Sequence, residues 1–223
     1  MRRFQARPGF GGLPVNIDAQ INAFVTITVM YDPPGLAAIF LGLTVGMTRS
    51  QRIQVALRGT ATATIILIVF ALTGEALLSL LGISLGAFRI AGGVLLFWIS
   101  FEMIFEKRAE RREKSAERAI THDHIANIAV FPLAIPLVAG PGAISATILL
   151  AGSMPGPVER ASLIGVIVFA SALLFLTLVV SDRLDKFLGE TGRMILTRLL
   201  GVVLAALAVQ FVVDGIKQVF VTT

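Results

Sequence analysis

Six apolar blocks, near 20–43, 58–81, 84–105, 128–152, 159–182 and 195–219, occupy most of this 223-residue chain. Each holds about 20 residues or more, which as helix reaches across the roughly 30 Å hydrocarbon core of a bilayer. In lipid no water is present to satisfy backbone polar groups, so each block must form its own hydrogen bonds as a helix. Charged residues make up only 15% of the chain and hydrophobic residues 56%. A soluble domain runs near one quarter charged, and the mean hydropathy of +0.86 points the same way. The expected fold class is an all-α polytopic membrane protein with six transmembrane helices. No cysteine is present, which excludes disulfides and thiol chemistry.

Charge divides the chain into parts. Residues 1–19 are basic and glycine-rich, lack the apolar core of a signal peptide, and read as a disordered tail before an uncleaved first span. A first three-helix unit covers 20–105, a charged loop 106–127, and a second three-helix unit 128–223. The chain carries a net charge of +5, and its basic residues cluster in the loops after the first, third and fifth blocks, with Arg49, Arg52, Lys107, Arg108, Arg183 and Lys186 among them. The positive-inside rule places these loops in the cytoplasm and both termini outside. Lys and Arg gathered in alternate loops indicate membrane topology, and no nucleic-acid partner is expected.

The two units resemble each other. PPGLAAIFLGLTVGM (33–47) aligns with GPGAISATILLAGSM (140–154) at a shift of 107, matching Pro34 to Pro141, Gly35 to Gly142 and Met47 to Met154. The same shift matches Gly82 to Gly189 and Ser84 to Thr191; at 109, Arg89 meets Arg198 and Gly92 meets Gly201. An odd number of spans per unit means the copies enter the membrane from opposite sides. Two inverted three-helix repeats, each with a broken first helix, are therefore expected, with a solute site near the midplane.

The breaks come from YDPPG (31–35) and FPLAIPLVAGPG (131–142). Proline removes an N–H, clashes with the preceding turn, and forces the residue before it out of helical geometry. A broken helix in lipid survives only where protein, water or solute supplies partners. The half-helices after Gly35 and Gly142 are expected to present free N–H groups to an anion. Those ending before the breaks present carbonyls to a cation. A zwitterion such as an amino acid meets both demands. The candidate binding residues are Asp32, Pro33, Pro34, Gly35, Gly140, Pro141, Gly142 and Ser145, with Thr147 close behind.

DPPG, GISLGAFRIAGGVLLFWISFEM and AVFPLAIPLVAGPGAI resemble the MarC family of bacterial inner-membrane proteins, also called UPF0056. The resemblance covers nearly all of the chain from about position 20. The family pattern Asp-Pro-x-Gly-Asn-x-Pro differs here at Leu36 and Ala38, which stand where the family has Asn and Pro. The resemblance implies six helices, a distant similarity to LysE-type exporters, and a relationship to proteins described as transporters of small neutral amino acids such as alanine and glycine. It also implies a multi-pass protein of the bacterial inner membrane.

A carboxylate at membrane depth usually faces a cavity or a partner. Asp32 therefore either binds a substrate ammonium, carries a coupling proton, or caps the half-helix that follows it. Glu75 is expected to pair with Arg89, relay a proton or snorkel to the interface, and Arg89 and Arg198 to make structural pairs. Glu102 and Asp182 are expected at the interface, Gln210 and Asp214 in packing or interfacial roles, and His122, Asp123 and His124 in a solvated loop without metal. The leading functional expectation is a secondary transporter of small solutes, with H+ or Na+ as coupling ion and no cofactor. A non-transporting membrane scaffold is the alternative. An intramembrane enzyme is disfavoured because both histidines lie in the loop and no second acid joins Asp32 at depth. No nucleotide-binding loop of the GxxxxGK[ST] type is present.

Overall fold

The structure, a computed structural model, describes residues 17–108, 110–112 and 128–221, and all regular elements among them are helices. The amino-terminal tail up to residue 16 and the His122–His124 cluster lie outside the described residues. In chain order the helices are α1 (Ile17–Tyr31), α2 (Pro33–Leu43), α3 (Arg49–Leu80), α4 (Leu85–Ile104), an irregular coil α5 (Ala129–Val138), α6 (Pro141–Gly152), α7 (Pro157–Val179) and α8 (Ser181–Val221). Five stretches are long and apolar enough to cross a membrane, with α1 and α2 taken together as one of them. The bent pair α5–α6 makes the sixth if it counts as one span.

Both expected breaks are present, and they differ in form. The first is a single residue: Asp32 takes the left-handed conformation (φ 51°, ψ 64°), and Pro33 and Pro34 open α2, where a missing N–H costs nothing. The second is spread over a longer stretch. Phe131 and Ile135, each before a proline, are extended, and the chain turns by 58° between α5 and α6. α8 also holds an interruption, at Gly189 (φ 60°, ψ −177°), which separates its first two turns from the long span.

The broken spans lie at the centre of the bundle. In its most apolar window the first span is 56% buried, against 28% for α3 and for α8. α3 packs on α5, α6 and α7; α4 packs on α6 and α8; α1 packs on α7 and α2 on α8. The outer faces carry exposed apolar residues such as Ile65, Val94, Phe169, Leu199 and Val202.

Lipid tails are as apolar as leucine, so helices in a membrane gain little from hydrophobic burial and associate by close packing. The antiparallel pair α4–α8 shows how. Gly86, Gly93 and Ser100 recur every seven residues on α4, and Gly201, Ala208 and Gly215 do so on α8. They meet in reverse order. A Cβ on Gly215 would lie 2.8 Å from Gly86 O, one on Gly93 2.8 Å from Ala208 O, and one on Gly201 3.2 Å from Ser100 O. Those obstacles are backbone and cannot yield. Gly93→Leu is therefore expected to lower stability by about 3 kcal/mol. Gly165→Ala, where a Cβ meets open space, should be neutral or stabilising by up to about 1 kcal/mol. Thermal unfolding of the two purified variants in one detergent checks both.

Candidate functional site

α1 ends in the middle of the bundle, so the carbonyls of its last turn need partners. All four have one. Asp32 N–H donates to Thr28 O at 3.2 Å and to Val29 O at 3.1 Å. Arg108 Nη2 donates to Met30 O at 2.6 Å, and Arg112 Nη2 donates to Tyr31 O at 3.4 Å. The same Arg112 nitrogen donates to Leu137 O at 3.3 Å. The carbonyl ends of both half-helices, α1 and α5, therefore converge on one guanidinium.

The donor end of α2 is equally accounted for. Pro33 and Pro34 carry no N–H. Gly35 N–H donates to Asp32 Oδ1 at 3.4 Å, and Leu36 N–H donates to Asp32 O at 2.9 Å. The free N–H groups expected after Gly35 are thus taken up by Asp32 acting as an N-cap. Gly35 is the residue that lets the carboxylate sit there, since a Cβ would lie 2.4 Å from Asp32 Oδ2. The Asp32 carboxylate also accepts from Thr197 Oγ1 at 2.9 Å and from Arg112 Nη1 at 3.3 Å. Asp32 is 2% exposed, Arg108 5% and Arg112 7%, so this is a buried ion pair with a second buried cation beside it.

The second break lacks an acid. Ala139 stands at the repeat position of Asp32, and Gly140 caps α6 without a side-chain hydrogen bond. Ile144 N–H finds Gly140 O at 3.0 Å. Gly142 and Ala143 line a cavity of about 250 Å³ together with Met30, Ile99, Arg111 and Leu137. A second cavity, of about 210 Å³, lies against the first break and is lined by Asp32, Gly35, Ala38, Glu106, Arg193 and Thr197. Arg108 and Arg112 line both cavities.

The arginines come from the segment that charge alone marks as a solvated loop. Its first residues fold back into the bundle instead: Arg111 pairs with Glu102 at 2.9 Å, and Arg108 and Arg112 reach the half-helix ends. Burial pushes the Arg108 guanidinium down to about 9, with Arg112 acting in the same direction and Asp32 opposing. It remains a cation at neutral pH. Arg108 and Arg112 sit four residues apart and share one face of a helical turn, which is the only sign of a common role that the sequence carries.

Asp32, Gly35, Gly140, Pro141 and Gly142 all line one of the two cavities. Pro33 and Pro34 shape the break without lining them, and half-buried Ser145 lines neither. Thr147 returns its hydroxyl to Ala143 O at 2.8 Å. Glu75 and Arg89 lie away from the site, while Arg198 reaches its edge through Glu106, which lines the cavity at the first break. Glu75 pairs with Arg160, not Arg89. Arg89 donates to Gln218 at 2.9 Å and to Ser153 at 2.9 Å, and Arg198 pairs with Glu106 at 2.7 Å. Glu102, expected at the interface, is buried and accepts from Trp98 Nε1 at 3.2 Å. Asp182 pairs with Arg52 at 2.8 Å, and Gln210 donates to Asp214 at 2.9 Å.

A polytopic helical membrane protein with interrupted spans around a buried ion pair is the class these observations define. The family model for "MarC family integral membrane protein" matches residues 17–220, and the chain belongs to that family. A UPF0056 membrane protein of Archaeoglobus fulgidus is 38% identical over 205 residues, covering 90% of this chain and 93% of that protein. One from Aquifex aeolicus is 32% identical, covering 89% and 92%. The UPF0056 membrane protein YhcE of Escherichia coli is 34% identical, covering 88% and 91%. No solved structure matches.

Removing one partner of a buried ion pair leaves the other charge uncompensated. Arg112→Ala is therefore expected to cost about 3 kcal/mol, and Thr197→Val about 1 kcal/mol. Asp32→Asn in the Arg112→Ala background should recover part of the larger loss, because asparagine still caps α2 without a buried charge. A double-mutant cycle on thermal unfolding measures this coupling.

Proposed function

We propose that this MarC-family protein is a secondary transporter of small zwitterionic solutes, neutral amino acids such as alanine or glycine, acting in the bacterial inner membrane without enzymatic chemistry. The observation that carries the reading is the convergence of two interrupted spans on Asp32 and Arg112 inside the bundle. Polar backbone at that depth is tolerated where it lines a cavity, and cavities flank it on both sides.

The two breaks divide the work. At the first, Asp32 and the carbonyl ends favour the ammonium group of a solute. At the second, Gly142 and Ala143 begin α6 with N–H groups that have no acid cap, which favours the carboxylate. The absence of an acid at Ala139 gives the site its polarity. A zwitterion placed this way spans from one repeat to the other, so its binding depends on how the repeats sit together.

Helix packing supports an inverted pair of repeats. Exchanging α1–α4 for α5–α8 turns the α3–α6 contact into α2–α7, α3–α5 into α1–α7, and α2–α8 into α4–α6, and all of these contacts are present. The α3–α7 and α4–α8 contacts map onto themselves. Alternating access then follows from rocking one repeat against the other about the shared site, with H+ or Na+ as the coupling ion. The basic loops face the cytoplasm and both termini face outward.

Purified protein in liposomes is expected to take up labelled glycine, alanine or serine, with the rate responding to an imposed proton or sodium gradient. Asp32→Asn and Gly142→Leu should each lower uptake at least tenfold while eluting as folded protein in size exclusion. Wild-type liposomes that take up none of a broad panel of small solutes would contradict the proposal.

A further inference from the structure

We infer that Asp32, Tyr31 O and Leu137 O form a cation site which the chain fills with its own Arg112, so that residues 110–112 plug the site until an external cation replaces the guanidinium. The site itself rests on geometry alone; that the replacing cation is a solute ammonium rests on the transporter reading.

Two buried arginines enter the bundle here, and they are held differently. Arg108 makes a 2.6 Å hydrogen bond to Met30 O. The hydrogen bonds of Arg112 to Asp32, Tyr31 and Leu137 are 3.3 or 3.4 Å long. Charge-assisted hydrogen bonds run near 2.7–2.9 Å when well formed. Arg108 is thus the anchor, and Arg112 is shared among three acceptors at longer range. An acceptor set that does not close on its resident cation is one from which that cation can be exchanged.

The exchange has to be one for one. Withdrawing Arg112 without replacement would take away the ion-pair partner of the Asp32 carboxylate and leave it only the neighbouring Arg108, whose hydrogen bond goes to Met30 O, a costly state. The plug therefore withdraws only when another cation arrives. Arg112 also lines the cavities on both sides, of about 210 and 250 Å³, so an incoming small cation has space beside it before the exchange is complete. The chemistry selected is a compact cation that can donate to two carbonyls and a carboxylate: a primary ammonium, or guanidinium itself.

Free guanidinium is the probe. In Arg112→Ala the side chain's head group is missing while its acceptors remain. Guanidinium chloride, well below denaturing concentrations, is expected to raise the melting temperature of this full-length variant by about 3 °C at about ten times its dissociation constant. Sodium chloride at equal ionic strength and urea should not. Wild type, where guanidinium must first displace the tethered Arg112, should show a smaller rise, and Arg112→Ala/Asp32→Asn, whose site lacks its acid, should show none. If Arg112→Ala does not fold alone, recovery of folded protein when it is purified in guanidinium, and not in sodium chloride, meets the same expectation. No guanidinium-specific effect on the variant, an equal rise in wild type, or failure to fold with guanidinium present overturns the inference. A positive result in a protein that transports nothing leaves the cation site standing and removes only the transporter reading.

Discussion

One guanidinium bridges the two breaks at the centre of this protein. Arg112 reaches Tyr31 O at the end of α1, Leu137 O at the end of α5, and the Asp32 carboxylate that starts α2. A helix ended in the middle of a membrane is unstable unless its free backbone groups are met. Here the donors are met by two prolines that have no N–H to offer and an aspartate that takes up the rest. The acceptors are met by Asp32 N–H and two arginines. Every polar group freed by the first break has a partner, which is why the break can exist at that depth.

That accounting changes what the break offers a ligand. A helix N-terminus is an anion site only while its N–H groups are available, and at α2 Asp32 has taken them. On the transporter reading the first break therefore takes a cation and not an anion. The second break, with Ala139 where the first has Asp32, keeps its N–H groups uncapped. Among the differences between the two aligned stretches is Ala139 in place of Asp32, and on the transporter reading that difference gives the two breaks opposite preferences. The long helices around them hold this arrangement through close backbone contact, most clearly in the seam of small residues spaced by seven between α4 and α8.

Much of this was legible in the chain. Proline and glycine act through local sterics, so YDPPG and the FPLAIPLVAGPG stretch reported both breaks, and long apolar blocks reported the spans. The family followed from motif wording and order, and the comparisons bear it out. Contacts between distant segments were not legible. A run such as EKRAERREK reads as solvated, because nothing local says that two of its arginines will find buried carbonyls. Glu75 has two arginines at its end of the bundle, and only packing decides that Arg160 reaches it while Arg89 turns to Ser153 and Gln218. Thr197 carried no signal at all: a threonine in an apolar span becomes an Asp32 ligand only once α8 is laid against α2.

The convergence of the two interrupted spans can be tested directly, because the chain has no cysteine of its own. A Cβ on Gly142 would lie 2.6 Å from Met30 Cε. Met30→Cys with Gly142→Cys should therefore cross-link in native membranes with a short bifunctional thiol reagent, as should the control pair Arg52→Cys with Asp182→Cys. A control that links while the Met30–Gly142 pair does not, with reagents of any length, would place the two breaks apart and contradict the account.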